Sequence, residues 1–170
     1  MEMNVKQTMS LHPITVRLKD DLSTAFIRMR REGFRHMPVI DDLGDVIGII
    51  SDRDFQRAMW PISAPDAHGL PDTPHFRNDA KVSEYMSWPV STLTEDTSLL
   101  VAVETMIDKK ISAIVVTRQE QMVGIVTHED LLKVLAALLK EPTSLKERAL
   151  HLTYNTPLGR VTEMLAVAGV

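Results

Sequence analysis

Apolar residues recur along this chain with two spacings, and the same succession of spacings occurs twice. Leu22, Ala25, Phe26 and Met29 fall three and four apart. That is the stripe of a helix with one buried face, which starts at Asp20 or Asp21, runs to about Glu32 and stops at Gly33. Leu99, Ala102, Val103 and Met106 repeat the stripe behind Thr97, a plausible N-cap. Short apolar runs follow each helix. Residues 34–40 lead into a strand, Asp41-Asp42-Leu43-Gly44 turns, and 46–50 returns; 111–116 and 122–126 form the second pair across the polar turn 117–121. Unbroken runs of this kind belong to strands covered on both faces. Each pair closes in a glycine, apolar residues, a hydroxyl and an acid: GIISDRD at 48–54 and GIVTHED at 124–130. Ser51 and Thr127 stand where an N-cap belongs, with Asp54 and Asp130 three residues on, a spacing that by itself also fits a capping box. The helices that follow are predicted over 52–59, ended by Trp60-Pro61, and from after Thr127 to about Lys140, ended by Glu141-Pro142.

Sliding the chain on itself makes the repeat explicit. Met9-Ser10 matches Met86-Ser87 and Thr15-Val16 matches Thr92-Leu93 at an offset of 77, and one residue lost in a hairpin brings Gly48 onto Gly124 at 76. Each copy is a βαββα unit of about sixty residues with an extended lead-in, 14–16 in the first, bent at His12-Pro13 and at Trp88-Pro89. The predicted organisation is repeat one at 3–58, a linker at 59–80, repeat two at 81–137 and a tail at 141–170. Pro61, Pro65, Pro71 and Pro74 make the linker irregular. His68 and His75 within it have no recognised ligand spacing and read as solvated loop residues. In the tail, 144–150 is a candidate helix, and Thr156-Pro157 starts another with Leu158, Val161, Leu165 and Ala168 on one face. That face packs on its own module or on a partner; amphipathicity does not choose.

These motifs in combination, MS with a threonine five residues after the serine, FRHMPVID or ISAIVV, then GIISDRD or GIVTHED, resemble cystathionine-β-synthase-type (CBS) domains. The pair resembles a Bateman module over about residues 3–58 and 80–137. The resemblance implies an α/β (α+β) fold of two βαββα repeats packed about a pseudo-two-fold, here with a C-terminal helical extension. It also implies a non-catalytic regulatory module that binds an adenosine nucleotide, AMP, ADP or ATP, as a regulatory ligand and needs no other cofactor. A disk-like homodimer and an unidentified protein partner are expected on the same ground.

Ribose offers two neighbouring hydroxyl donors, and a carboxylate fixed at a helix start accepts both. Asp54 and Asp130 match the family positions that do this, and Ser51 and Thr127 match hydroxyl positions near ribose or phosphate, beside free amides of the helix start. In the family, adenine lies in an apolar slot read by backbone groups. Those positions are Phe34, Arg35 and His36 with Ser10 and Thr15 in the first site, and Ile111, Ser112 and Ala113 with Ser87 and Thr92 in the second. Arg35 and His36 occupy places where relatives that bind phosphorylated adenosines often carry basic groups, and Arg53 and His128 are further phosphate candidates. His36 reads equally as a half-buried, hydrogen-bonded histidine, and Arg53 and His128 as exposed helix-start residues. The repeats also differ: Pro38 becomes Val115, and Asp41-Asp42 has no counterpart after Val116.

Composition narrows the picture. At 170 residues and 44% hydrophobic content the chain can bury a sizeable core. Without cysteine, thiolate chemistry and disulfides are excluded, and a net charge of −4 offers no basic field for nucleic acid. No signal-type core or membrane-length apolar run occurs, so a soluble, cytoplasmic protein is expected. No nucleophile–base arrangement and no Walker-type loop emerges, which argues against an enzyme. The competing readings are a scaffold whose clefts are vestigial and a sensor of S-adenosylmethionine or another adenosyl ligand.

Overall fold

The computed structural model describes residues 3–59 and 76–140; the expected linker, apart from 59 and 76–80, and the whole tail lie outside them. Residues 1–128 make up one compact unit. It begins with a 3-10 turn, Val5–Gln7, and strands β1 (Ser10–Leu11) and β2 (Val16–Arg17), followed by α1 (Leu22–Glu32), β3 (His36–Ile40), β4 (Val46–Ser51) and α2 (Asp52–Ala58). The second repeat follows as α3 (Val82–Tyr85), β5 (Thr92–Thr94), α4 (Leu99–Lys109), β6 (Ala113–Arg118), β7 (Gln121–Thr127) and α5 (His128–Lys140). The mixed α/β architecture of two βαββα repeats is therefore present.

Helix α1 forms where its stripe predicts, with Asp21 extended at the N-cap and Gly33 left-handed at the C-cap. Leu22, Ala25 and Met29 are buried, and the Phe26 ring meets Phe55 edge-to-face with centroids 5.4 Å apart. The second repeat reproduces that cap at Lys110, a non-glycine residue at φ 54°. Several boundaries differ from expectation by a residue or two. Ser98, not Thr97, caps α4. Strand β6 starts at Ala113, two residues late, because Ile111 N–H is still closing the helix onto Met106 O at 3.0 Å. The β6–β7 turn tightens to Gln119 and Glu120, both at positive φ, which suits the twist of a two-residue hairpin.

Two sheets result, ordered β2-β3-β4 and β1-β7-β6-β5. Within each repeat the first strand runs parallel to the second and the hairpin is antiparallel. The lead-in segments are exchanged. Ser10 pairs with Ile125 on the second sheet, and Ser87 pairs with Ile49 on the first through two amide bonds of 2.8 and 3.0 Å. The exchange follows the repeat, at the 77-residue offset before the hairpins: Val5 N–H donates to Thr97 O, and Val82 N–H to Asp20 O. Leu99 N–H donates to Met3 O as Leu22 N–H does to Ala80 O. Val82 and Ala80 are consequently buried in the core of the first repeat, beside Val16, Leu22, Met37, Val39, Ile50 and Phe55.

The exchange explains why both junctions open with glycine. A Cβ on Gly48 would stand 2.8 Å from Met86 Sδ and 3.0 Å from Ser87 O. One on Gly124 would stand 2.8 Å from Ser10 O and 2.9 Å from Met9 Sδ. The Met-Ser of one repeat crosses directly over the glycine of the other, and only a hydrogen fits beneath it.

The described residues from 129 on belong to a second unit. Its described part is the rest of α5, on which Leu132, Leu135, Leu138 and Leu139 are exposed and Asp130 is buried.

Candidate functional site

At the first junction β4 runs straight into α2. Ser51 is extended at φ −125° and ψ 168°, which turns its own amide and hydroxyl toward Asp54 three residues on. Ser51 N–H and Oγ–H donate to Asp54 Oδ2 at 2.7 and 2.6 Å. The Arg57 guanidinium donates to the other oxygen, Oδ1. Asp54 is 4% exposed, so a carboxylate is buried here with both oxygens engaged. The capping-box geometry that the spacing allowed is present.

Next to it, Arg35 donates to Asp52 Oδ2 through Nε at 2.9 Å and Nη2 at 2.8 Å, while Asp52 N–H bonds Arg35 O at 3.1 Å. His36 pairs in register with Ser51, which sets 34–36 beside 51–54 as expected. The half-buried His36 reaches into the other repeat: its Nε2 lies 2.7 Å from Ser112 Oγ. Ser112 O in turn accepts from His128 N–H at 3.1 Å, the counterpart of the Arg35–Asp52 backbone bond. One serine thus ties the first repeat's β3 to the start of α5. Burial holds the His36 imidazole below its ordinary pKa, helped by the positive charge of His128 and Arg35; Asp52 and Asp54 act in the opposite sense.

At the end of β7, Thr127 pairs with Ala113. Asp130 is 8% exposed, and Lys133 Nζ lies 3.8 Å from it and 3.0 Å from Glu129.

The remaining expected positions are more dispersed. Ser10 is exposed on the second repeat's sheet, away from its sequence companion Thr15, whose neighbour Val16 pairs with Val39 on the first. Ser87 is likewise carried to the first sheet, whereas Thr92 stays on its own, paired with Val115. Thr15 O accepts from Arg28 Nη1 at 3.0 Å. Phe34 is 46% exposed and Ile111 half-buried, each with its amide spent on closing the preceding helix. Arg53 and His128 are exposed. Sequence reasoning missed Arg57, although a cation three residues beyond an aspartate on one helix is a readable signal. Among the described residues no group of three His, Asp or Glu side chains converges as a metal site, and no helix is long and apolar enough to cross a membrane.

With the repeat, the exchanged strands and the paired junctions in view, the class is a tandem CBS module. The CBS domain family profile matches residues 5–61 and 82–137, and the chain belongs to that family. A CBS domain-containing protein of Dictyostelium discoideum is 28% identical over 145 residues, 82% of this chain and 96% of that one. An uncharacterized conserved protein of Pyrococcus horikoshii has a crystal structure that is 25% identical, with a TM-score of 0.64 over 85% of this chain and 98% of that one. The CBS domain pair of protein MJ0100, solved with 5′-methylthioadenosine and S-adenosyl-L-methionine, shares the fold at a TM-score of 0.67 and 24% identity, over 81% and 99% of the two chains.

Proposed function

We propose that this chain is a non-catalytic regulatory module that binds an adenosine ligand at its two repeat junctions and reports occupancy to a protein partner or to a second copy of itself. The observation that carries this reading is a buried carboxylate at each equivalent junction, Asp54 and Asp130. A ribose diol supplies the donors such a group takes, and each hydrogen bond to a charged acceptor contributes about 1.5 to 3 kcal/mol. Losing one of these carboxylates therefore weakens its site about tenfold or more.

The seam between repeats supports the signalling half. A ligand held against 34–36 or 51–54 presses on His36, and through Ser112 on the start of α5. Occupancy transmits only so far as the ligand prefers one arrangement of the repeats over the other. A phosphorylated nucleotide is favoured by the cations beside the first junction, Arg35 and Arg53, with the neutral His36 as a hydrogen-bonding neighbour. On the family resemblance, Ser51, Thr127, Ser10, Ser87, Thr15 and Thr92 would supply polar contacts, Ser112, Ala113, Phe34 and Ile111 contacts to the base, and His128 a contact to phosphate.

A second reading, an adenosyl ligand without phosphates, draws on the two molecules bound by the MJ0100 pair. Thermal melting with AMP, ADP, ATP and S-adenosylmethionine separates them, repeated on Asp54→Ala and Asp130→Ala. A shift given by the phosphorylated ligands and lost in a variant supports the nucleotide sensor; a shift with S-adenosylmethionine alone supports the second reading. No shift with any ligand, in folded protein free of carried-over nucleotide, overturns both and leaves a scaffold.

A further inference from the structure

We propose that Arg57 competes with the ligand for Asp54, so that the first junction is latched shut by its own helix and opens when the guanidinium swings into solvent. This rests on Asp54 being the ribose acceptor. A carboxylate has two oxygens. Oδ2 of Asp54 already takes the Ser51 amide and hydroxyl, and these bonds hold the start of α2. Oδ1 is the oxygen left to an incoming diol, and Arg57 takes one of its two lone-pair positions, so a diol that needs both must displace it. The two partners differ in what surrounds them: the Asp54 side chain is 6% exposed, that of Arg57 68%. Release therefore requires no unpacking of Arg57, whose guanidinium moves into water, but it leaves a buried carboxylate oxygen that the incoming diol must satisfy in its place.

The neighbouring charge sets which acid lies nearest the cation in each repeat. At the 76-residue offset Arg57 corresponds to Lys133, and Arg53 to Glu129. In the second repeat Glu129 lies four residues before Lys133 and holds its ammonium at 3.0 Å, with Asp130 at 3.8 Å. In the first, the residue four before Arg57 is Arg53, whose like charge disfavours that direction and leaves Asp54 as the acid on the same face. One charge reversal between the repeats thus sets where the cation goes, and makes Arg57 an affinity-setting residue that touches no part of the base.

The test is calorimetric titration of the full chain with adenosine, which lacks a phosphate for Arg57 to attract. Arg57→Ala is expected to tighten binding at the first junction by about three- to tenfold, and Arg53→Glu, which offers Arg57 another acid, by about two- to threefold. Arg57→Lys falls between wild type and Arg57→Ala. Asp54→Asn, combined with Arg57→Ala, removes the gain. If Arg57→Ala leaves adenosine affinity unchanged or weakens it while Asp54→Asn alone weakens it, the latch is wrong and the ribose site stands. If adenosine binds and Asp54→Asn has no effect, or if neither wild type nor Arg57→Ala binds, the site itself is wrong and the latch falls with it.

Discussion

Replacing Gly124 by alanine places a methyl group under the strand that crosses it, 2.8 Å from Ser10 O and 2.9 Å from Met9 Sδ. The methionine can turn its thioether aside, but the carbonyl is backbone. To restore a 3.4 Å contact, β1 must retreat by about 0.6 Å, and β1 is held to β7 through two residue pairs only. Overpacking of this kind costs about 1–3 kcal/mol. For a chain of this length, a loss of that size lowers the melting temperature by about 2–12 °C. Gly48→Ala should cost less, because its nearest obstacle is the movable Met86 Sδ and the Ser87 carbonyl is 3.0 Å away. Thermal and urea unfolding give the stabilities, and hydrogen exchange read on peptides gives the location: protection should fall at 9–12 and persist in α1. The Met9→Ala/Gly124→Ala double variant should recover only part of the loss. Equal stability of Gly124→Ala and wild type, or full recovery in the double variant, would refute the crossing as the reason for the glycine.

Other expectations follow from single residues. Lys110→Gly relieves a left-handed cap residue at φ 54° and should stabilise by about 0.5–1 kcal/mol, whereas Gly33→Ala, with no atom within 4 Å of its new Cβ, should lose about 1 kcal/mol to backbone strain alone; chemical denaturation of both checks this. Phe55→Ala empties a fully buried position between Phe26 and Phe76 and should cost about 3–5 kcal/mol by the same assay. His36, whose pKa is lowered on folding, makes stability depend on pH. The unfolded imidazole takes up its proton near 6.5 and the folded one only at lower pH. The contribution is therefore complete above about pH 6.5 and is lost as pH falls toward the folded value. Melting curves of His36→Gln against wild type should converge on the acidic side, and a parallel pH course for the two would count against the buried ring.

Much of this protein was settled locally. The spacing of Leu22, Ala25 and Met29, the left-handed stop at Gly33 and the Ser51–Asp54 cap each rest on residues within one or two turns of each other, so the sequence displays them directly. The internal repeat carried the architecture further, because two copies of one βαββα pattern call for a common solution twice. What the repeat could not reveal is which sheet receives each lead-in segment. A strand edge offers the same amides and carbonyls to any extended neighbour, so nothing in Met9-Ser10 itself selects Ile125 over Ile49. That choice is made by the packing of whole repeats, which buries Val82 in one core and leaves room at Gly48 and Gly124 for the crossing chain. The site divides along the same line. Its aspartates were legible as a motif, whereas the His36–Ser112 contact across 76 residues of sequence was decided only when the two repeats closed on each other, since neither side chain has a local partner that predicts the other.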